Sequence, residues 1–253
     1  AGGSIGLTKL ITSPADGYTL ALASPMELVL APMAIQGVKY KSEDFKMVAQ
    51  FTTTNTILAV RNSLNVKTLD ELLAHARKSK TPLSYGSVGP GSLYHLIGER
   101  FTQLTKIDTL HVPYKGIAPL LTDLMGGQVP MLFSSLGPVV SAAKAGKVRP
   151  LAVTSLKRSN AFPDVPTFDE LGYKGFESVA WYGLMGPAGL PPEVVTRLTR
   201  ALNKVGEDKA VMDQINATGC DAEILSPDQT LEKIRADSLK WSKVIKDAKI
   251  QTE

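Results

Sequence analysis

LSYGSVGPGSLYHL (residues 83–96) joins a short apolar strand signal to a helical pattern through three glycines and a proline. Glycine permits backbone angles closed to other residues, so Gly86, Gly89 and Gly91 let amide N–H groups converge where a helix begins and its dipole is positive. An anion suits such a turn. Beyond it, apolar residues at 93, 96, 97, 101 and 104 form one helical face, which predicts an amphipathic helix packed on a sheet.

The same strand-then-helix grammar extends outward from the turn. Strand-like runs lie at 18–24, 45–52, 57–62, 83–87, 108–114, 129–135 and 148–155, with helical patterns at 68–80, after Ser92 and at 117–124. This alternation predicts an α/β protein with largely parallel strands. Residues 158–176, rich in Pro, Gly and Asp, read as a loop holding one short helix. A strand and a Gly/Pro break follow, then a helix opened by Pro191 and Pro192. The chain closes on an amphipathic helix whose apolar face reads as Leu231, Ile234, Leu239, Trp241 and Val244. No internal repeat or low-complexity tract interrupts this order.

Composition narrows the function classes. The 253 residues are 43% hydrophobic and 21% charged, ordinary for a globular protein. The 28 basic and 24 acidic residues are spread without basic runs or interleaved aromatics, which argues against nucleic acid. Cys220 stands alone, so no internal disulfide forms. No run of about 18 apolar residues spans a membrane. AGGSIGLTKL lacks the basic-then-apolar order of a leader, so any signal peptide precedes this numbering.

Known chemistries fit the turn poorly. From Gly86 the glycines are spaced G-x-x-G-x-G, the reverse of a dinucleotide fingerprint, and Ser92 stands in the lysine slot of a P-loop. Tyr85 occupies the first glycine of a nucleophile elbow, which weakens a hydrolase built on Ser87, His95 or His111 and Asp108. His75, His95 and His111 have no metal-ligand spacing, so neither metal nor cofactor is expected. The plain structural alternative is an αβ turn with Ser92 or Gly91 capping the helix. Hydroxyl turns recur at Ser24-Pro25, Ser87, Ser134-Ser135 and Thr154-Ser155, each just past a strand, where open α/β sheets bind ligands. Neutral hydroxyls suit hydrogen bonding better than catalysis.

YGSVGPGS (85–92), HVPYKG (111–116), GQVPMLF (127–133), AGKVRPLAVTS (145–155), FPDVPTFDELGYKGFE (162–177) and the downstream WYGLMGPAGLP, in this order, closely resemble one family. They resemble the extracytoplasmic substrate-binding proteins of the tripartite tricarboxylate transporter system, the Bug-type receptors. The resemblance implies a two-lobed Venus-flytrap fold, each lobe a mostly parallel sheet flanked by helices, with residues 1–61 and 183–253 in one lobe and 62–182 in the other. It implies a non-enzymatic, monomeric, periplasmic receptor that closes on a small carboxylate and presents it to membrane components of a transporter. A carboxylate-sensing module for a signalling partner would use the same cleft.

Carried over residue by residue, the resemblance makes Ser87, Val88, Gly89, Gly91 and Ser92 the anion turn. It makes Ser24 and Pro25 a wall of the first lobe, and Ser134 and Ser135 the far wall that selects the rest of the solute. Many relatives carry an acidic residue at the position of Ser134, so a neutral wall favours a plain carboxylate over an amino acid. Members usually begin with a further strand and anion turn before the AGG segment, so the first-lobe clamp is expected either to be missing or to lie outside this numbering.

Overall fold

A computed structural model describes residues 3–248. The described chain divides into two compact units, residues 1–53 with 180–253 and residues 54–179. The sequence reading puts these divisions at 61/62 and 182/183. In the structure the first division, 53/54, falls inside a strand because β2 (Phe45–Arg61) is continuous and contributes to both units. Its threonine- and asparagine-rich centre, residues 52–55, reads as a break between two strands, but those side chains are buried within the ladder.

Unit 1 pairs β1 (Ala21–Ala23) antiparallel with β7 (Val179–Pro187), which neighbours the first half of β2. β8 (Asp221–Leu225) lies antiparallel on that same half. Helices α1 (Ser4–Ile11), α2 (Ala31–Ala34), α7 (Pro192–Gly206), α8 (Lys209–Ala217) and α9 (Pro227–Asp247) complete it. α7 starts at the proline pair, and Val195 packs with Val48 and Leu190. α9 opens on a capping box, Ser226 with Gln229, and buries Ile234, Trp241 and Val244. Leu239 is 78% exposed, against the sequence reading. At about 100° per residue it lies roughly 140° around the helix from Ile234, whereas Trp241 returns to the buried face.

Unit 2 holds the second half of β2 with β3 (Leu83–Ser87), β4 (Thr109–Pro113), β5 (Met131–Ser135) and β6 (Val148–Val153). β3 runs parallel to β4 and β5, while β2 is antiparallel to β5 and β6. The expected mostly parallel sheets are therefore mixed. Parallel pairing requires a crossover, and here α4 (Leu93–Thr105) and α5 (Ile117–Gly126) supply crossovers between β3, β4 and β5, while β2 inserts in the opposite sense. α3 (Leu69–Lys78) and α6 (Leu136–Lys144) complete the helical cover.

One core of unit 2 joins Ile57, Ala59 and Leu132 to Leu120, Leu124 and Val139 of α5 and α6. A second is aromatic, with Phe101 of α4 edge-on to Phe133 and Phe168. Leu93, Leu96, Ile97 and Phe101 are buried, so α4 keeps the face its spacing predicts. Residues 158–176 form turns without the expected helix. Thr167 and Glu170 cap each other's amides as a helix start would, but Gly172 closes the turn after one bond from Leu171 to Thr167.

Candidate functional site

β3 delivers its last residue, Ser87, to the edge of the unit 2 sheet where the parallel strands end, and the chain then needs five residues to start α4. Gly89 and Gly91 take φ values of 118° and 69° there, a region L side chains rarely adopt. A Cβ at Gly89 would face open space, so its backbone is approachable. Gly86 serves packing instead, because its Cβ would lie 2.0 Å from Leu120 of α5.

Several polar groups of the turn bond to one another or to the histidines behind it. Ser92 caps α4, its hydroxyl accepting from the His95 amide at 3.3 Å. The Ser92 amide donates to the Gly89 carbonyl at 3.2 Å. The Gly89 amide donates to Ser87 Oγ at 3.1 Å, and the Gly91 amide to His95 Nδ1 at 3.0 Å. Ser87 Oγ also meets His111 Nε2 at 2.6 Å, and Ser92 Oγ donates to it at 3.4 Å. Among the described residues, the amides of Val88, Leu93 and Tyr94 find no acceptor in unit 2. Leu93 and Tyr94 are the orphan donors of a helix start.

Two imidazoles stand behind the turn. His95 on α4 and His111 on β4 stack with centroids 3.9 Å apart and planes at 16°. Because Gly91 donates to His95 Nδ1, the His95 proton belongs on Nε2, which faces Glu99 Oε1 at 3.7 Å. Glu99 also accepts from the Tyr85 hydroxyl at 2.7 Å. Burial pushes the pKa of His95 down against the opposing pull of Glu99. Burial, then the neighbouring His95, depresses that of His111 to about 4. Burial, then the bond to Glu99, raises that of Tyr85. Both imidazoles are thus neutral near pH 7.

The contact of Ser87 with His111 is the arrangement a serine nucleophile would need, but its surroundings do not serve that chemistry. Ser87 is fully buried and its hydroxyl is shared with Gly89 and Ser92. The nearby carboxylate, Glu99, engages His95 and Tyr85, and an imidazole held neutral down to about pH 4 is a weak general base. Among the described residues, no group of three or more His, Cys, Asp or Glu is placed to hold a metal. No described helix is long and apolar enough to cross a membrane.

The other sequence candidates fall in two places. Ser134 and Ser135 end β5, so they share the strand-end edge of unit 2 with Ser87. Ser134 is fully buried, its hydroxyl donating to the Ser135 carbonyl at 3.0 Å, and Ser135 is the N-cap of α6. Ser24 and Pro25 lie in unit 1, where the Ser24 amide and hydroxyl both donate to Glu27 Oε2, at 2.8 and 2.6 Å. Sequence reasoning missed the buried polar run Thr54, Asn55 and Thr56 on β2, although a polar cluster inside an apolar strand was the available signal. Thr56 pairs across the ladder with Ser135, and Thr154 donates to the carbonyls of Thr56 and Ser178. A row of hydroxyls therefore continues along this edge. The structural role of Glu99 and of the two histidines was also missed, though His95 and Glu99 carry the four-residue spacing of neighbours on a helix.

Comparison with known proteins adds an independent line. Residues 1–250 match the family described as tripartite tricarboxylate transporter family receptor. The Bordetella pertussis protein BugT is 33% identical over 98% of this chain and 76% of its own length. A solved R. palustris protein with adipate is 31% identical, with a TM-score of 0.88 over 98% of this chain and 84% of that one. MatC from Rhodopseudomonas palustris with bound malate is 26% identical, with a TM-score of 0.82 over 97% and 85% of the two chains.

Proposed function

We propose, from the premise that this chain belongs to the tripartite tricarboxylate transporter receptor family, that it is a periplasmic receptor for a small carboxylate which it hands to the membrane components of such a transporter. The family and its solved members are solute receptors rather than enzymes, and this chain is a Bug-type receptor of that kind. The observation that carries the carboxylate reading is the donor inventory of the turn at 87–94. The Val88, Leu93 and Tyr94 amides have no acceptor in unit 2, the last two at the start of α4, and every group that fastens the turn from behind is neutral. Such an arrangement stabilises a negative charge without a competing internal one. Similar proteins solved with adipate and with malate support an organic acid as the guest. The hydroxyls of Ser135 and Thr56 on the same edge favour a solute whose remainder is polar and uncharged or anionic.

Thermal shift with a panel of acids tests this reading. Adipate, malate or another mono- or dicarboxylate at about 100 times its dissociation constant should add about 2.7 kcal/mol, roughly 5 to 10 °C in Tm for a chain of this length. Sugars and neutral amides should leave Tm unchanged. Stabilisation by a neutral sugar, with no response to any acid, would contradict the proposal.

A further inference from the structure

We propose that His95 and His111 are positioning residues for the solute: as neutral imidazoles they fix the glycine turn from behind, so that the Val88, Leu93 and Tyr94 amides are the donors presented to it. The role rests on the receptor reading above. It follows from where the turn's other donors go. His95 Nδ1 takes the Gly91 N–H at 3.0 Å, and His111 Nε2 holds Ser87 Oγ at 2.6 Å, which in turn takes the Gly89 N–H at 3.1 Å. Neither glycine has a Cβ to restrict its backbone, and both sit at positive φ, so these acceptors are what hold the two amides away from an anion or water. The two rings stack on each other, and therefore one ring's position depends on the other's.

The groups facing this pair are Tyr85 on β3, Glu99 and Ser92 at α4, and Ser87 at the end of β3. Among these, Glu99 is the charged one, and it lies on the Nε2 side of His95, away from the Gly91 amide. Its carboxylate orders the imidazole tautomer while the side facing the turn stays uncharged. An acceptor that carried a negative charge at Nδ1 would hold the Gly91 amide as well, but it would repel the solute. A protonated His95 would present an N–H to the Gly91 N–H and release the turn.

Four variants separate positioning from mere bulk. Asparagine places an acceptor near Nδ1 of histidine and glutamine near Nε2, so His95→Asn and His111→Gln should keep adipate and malate affinity within about threefold of the wild type, whereas His95→Leu and His111→Leu should each weaken it about tenfold or more. Calorimetry at pH 7 gives the affinities and melting curves verify folding. Nitrogen-15 spectra of the wild-type imidazoles give a readout independent of the variants' folding and of any ligand, and His95 should be neutral with its proton on Nε2. A wild type that binds acid while the folded leucine variants bind it equally well would overturn the positioning role alone. So would a His95 proton on Nδ1. A wild type that binds no carboxylate would instead overturn the receptor reading, and this role with it.

Discussion

Two serine turns, one in each unit, follow a strand and lead into a helical segment, and they treat the donors at that start in opposite ways. At Ser24 the chain supplies its own carboxylate. Glu27 accepts from both the Ser24 amide and hydroxyl, and the Met26 amide closes onto Ser24 Oγ at 3.2 Å. At Ser87 the acceptors are a hydroxyl, a carbonyl and an imidazole nitrogen, none of them charged, and three amides are left over. A helix start closed by an internal anion is a structural joint. One closed from behind by neutral groups keeps its positive field for a visitor. For Ser24 and Pro25 this leaves the role of a wall rather than a donor as the proposal.

The largest expected effect is at Gly89. Gly89→Val forces a β-branched residue to φ 118° with its side chain on the open face of the turn. The loss of a charge-assisted contact of about 1.5–3 kcal/mol should reduce adipate affinity by about tenfold to a hundredfold, while backbone strain of about 1–3 kcal/mol, present with or without the solute, lowers stability. Calorimetry beside a melting curve should show affinity falling further than stability. Unchanged affinity would remove the turn from the site and end the contrast with Ser24.

Glu27→Ala should give the reverse pattern. Leaving the Ser24 amide and hydroxyl without their acceptor costs about 1–3 kcal/mol of stability, roughly 2 to 10 °C in Tm, with adipate affinity within about threefold of the wild type. A Glu27→Ala protein that melts normally and binds acid more tightly would show that the Ser24 turn is a suppressed anion site rather than a joint.

The smallest effect concerns pH. Folded His111 takes its proton only near pH 4, whereas the unfolded residue takes it near 6.5. Between those values unfolding absorbs a proton, so the stability associated with neutral His111 is whole above about pH 6.5 and declines as the pH falls toward 4. His95, also shifted downward, acts in the same direction. His111→Gln lacks this loss, so its Tm should fall less than that of the wild type between pH 7 and 4.5. Parallel decline of the two proteins would place His111 in contact with water rather than in the stack.

Much of the fold was legible because its signals are local. The spacing of Leu93, Leu96, Ile97 and Phe101 prescribes the buried face of α4, and Ser92 before them prescribes the cap. Sheet sense was not legible, since nothing in the sequence of β2 distinguishes an antiparallel insertion from another parallel strand. The site was half legible. The glycine cluster marks the turn, but which amides remain free depends on His111, which is 24 residues from the Ser87 it holds. Likewise the serines singled out as contacts turn out to spend hydrogen bonds inside the protein: Ser24 on Glu27, Ser87 on the turn itself, Ser134 on the neighbouring carbonyl. Such commitments are decided by packing that no spacing rule records.

The central claim, that open amides on a neutral turn receive the acid, is tested most directly by following backbone amide resonances while adipate is added to the wild-type protein. The Val88, Leu93 and Tyr94 amide protons should move downfield along the same saturation curve that calorimetry gives, while the Gly91 amide stays bonded to His95 and scarcely shifts. Saturable adipate binding that leaves those three amides unmoved would contradict the account.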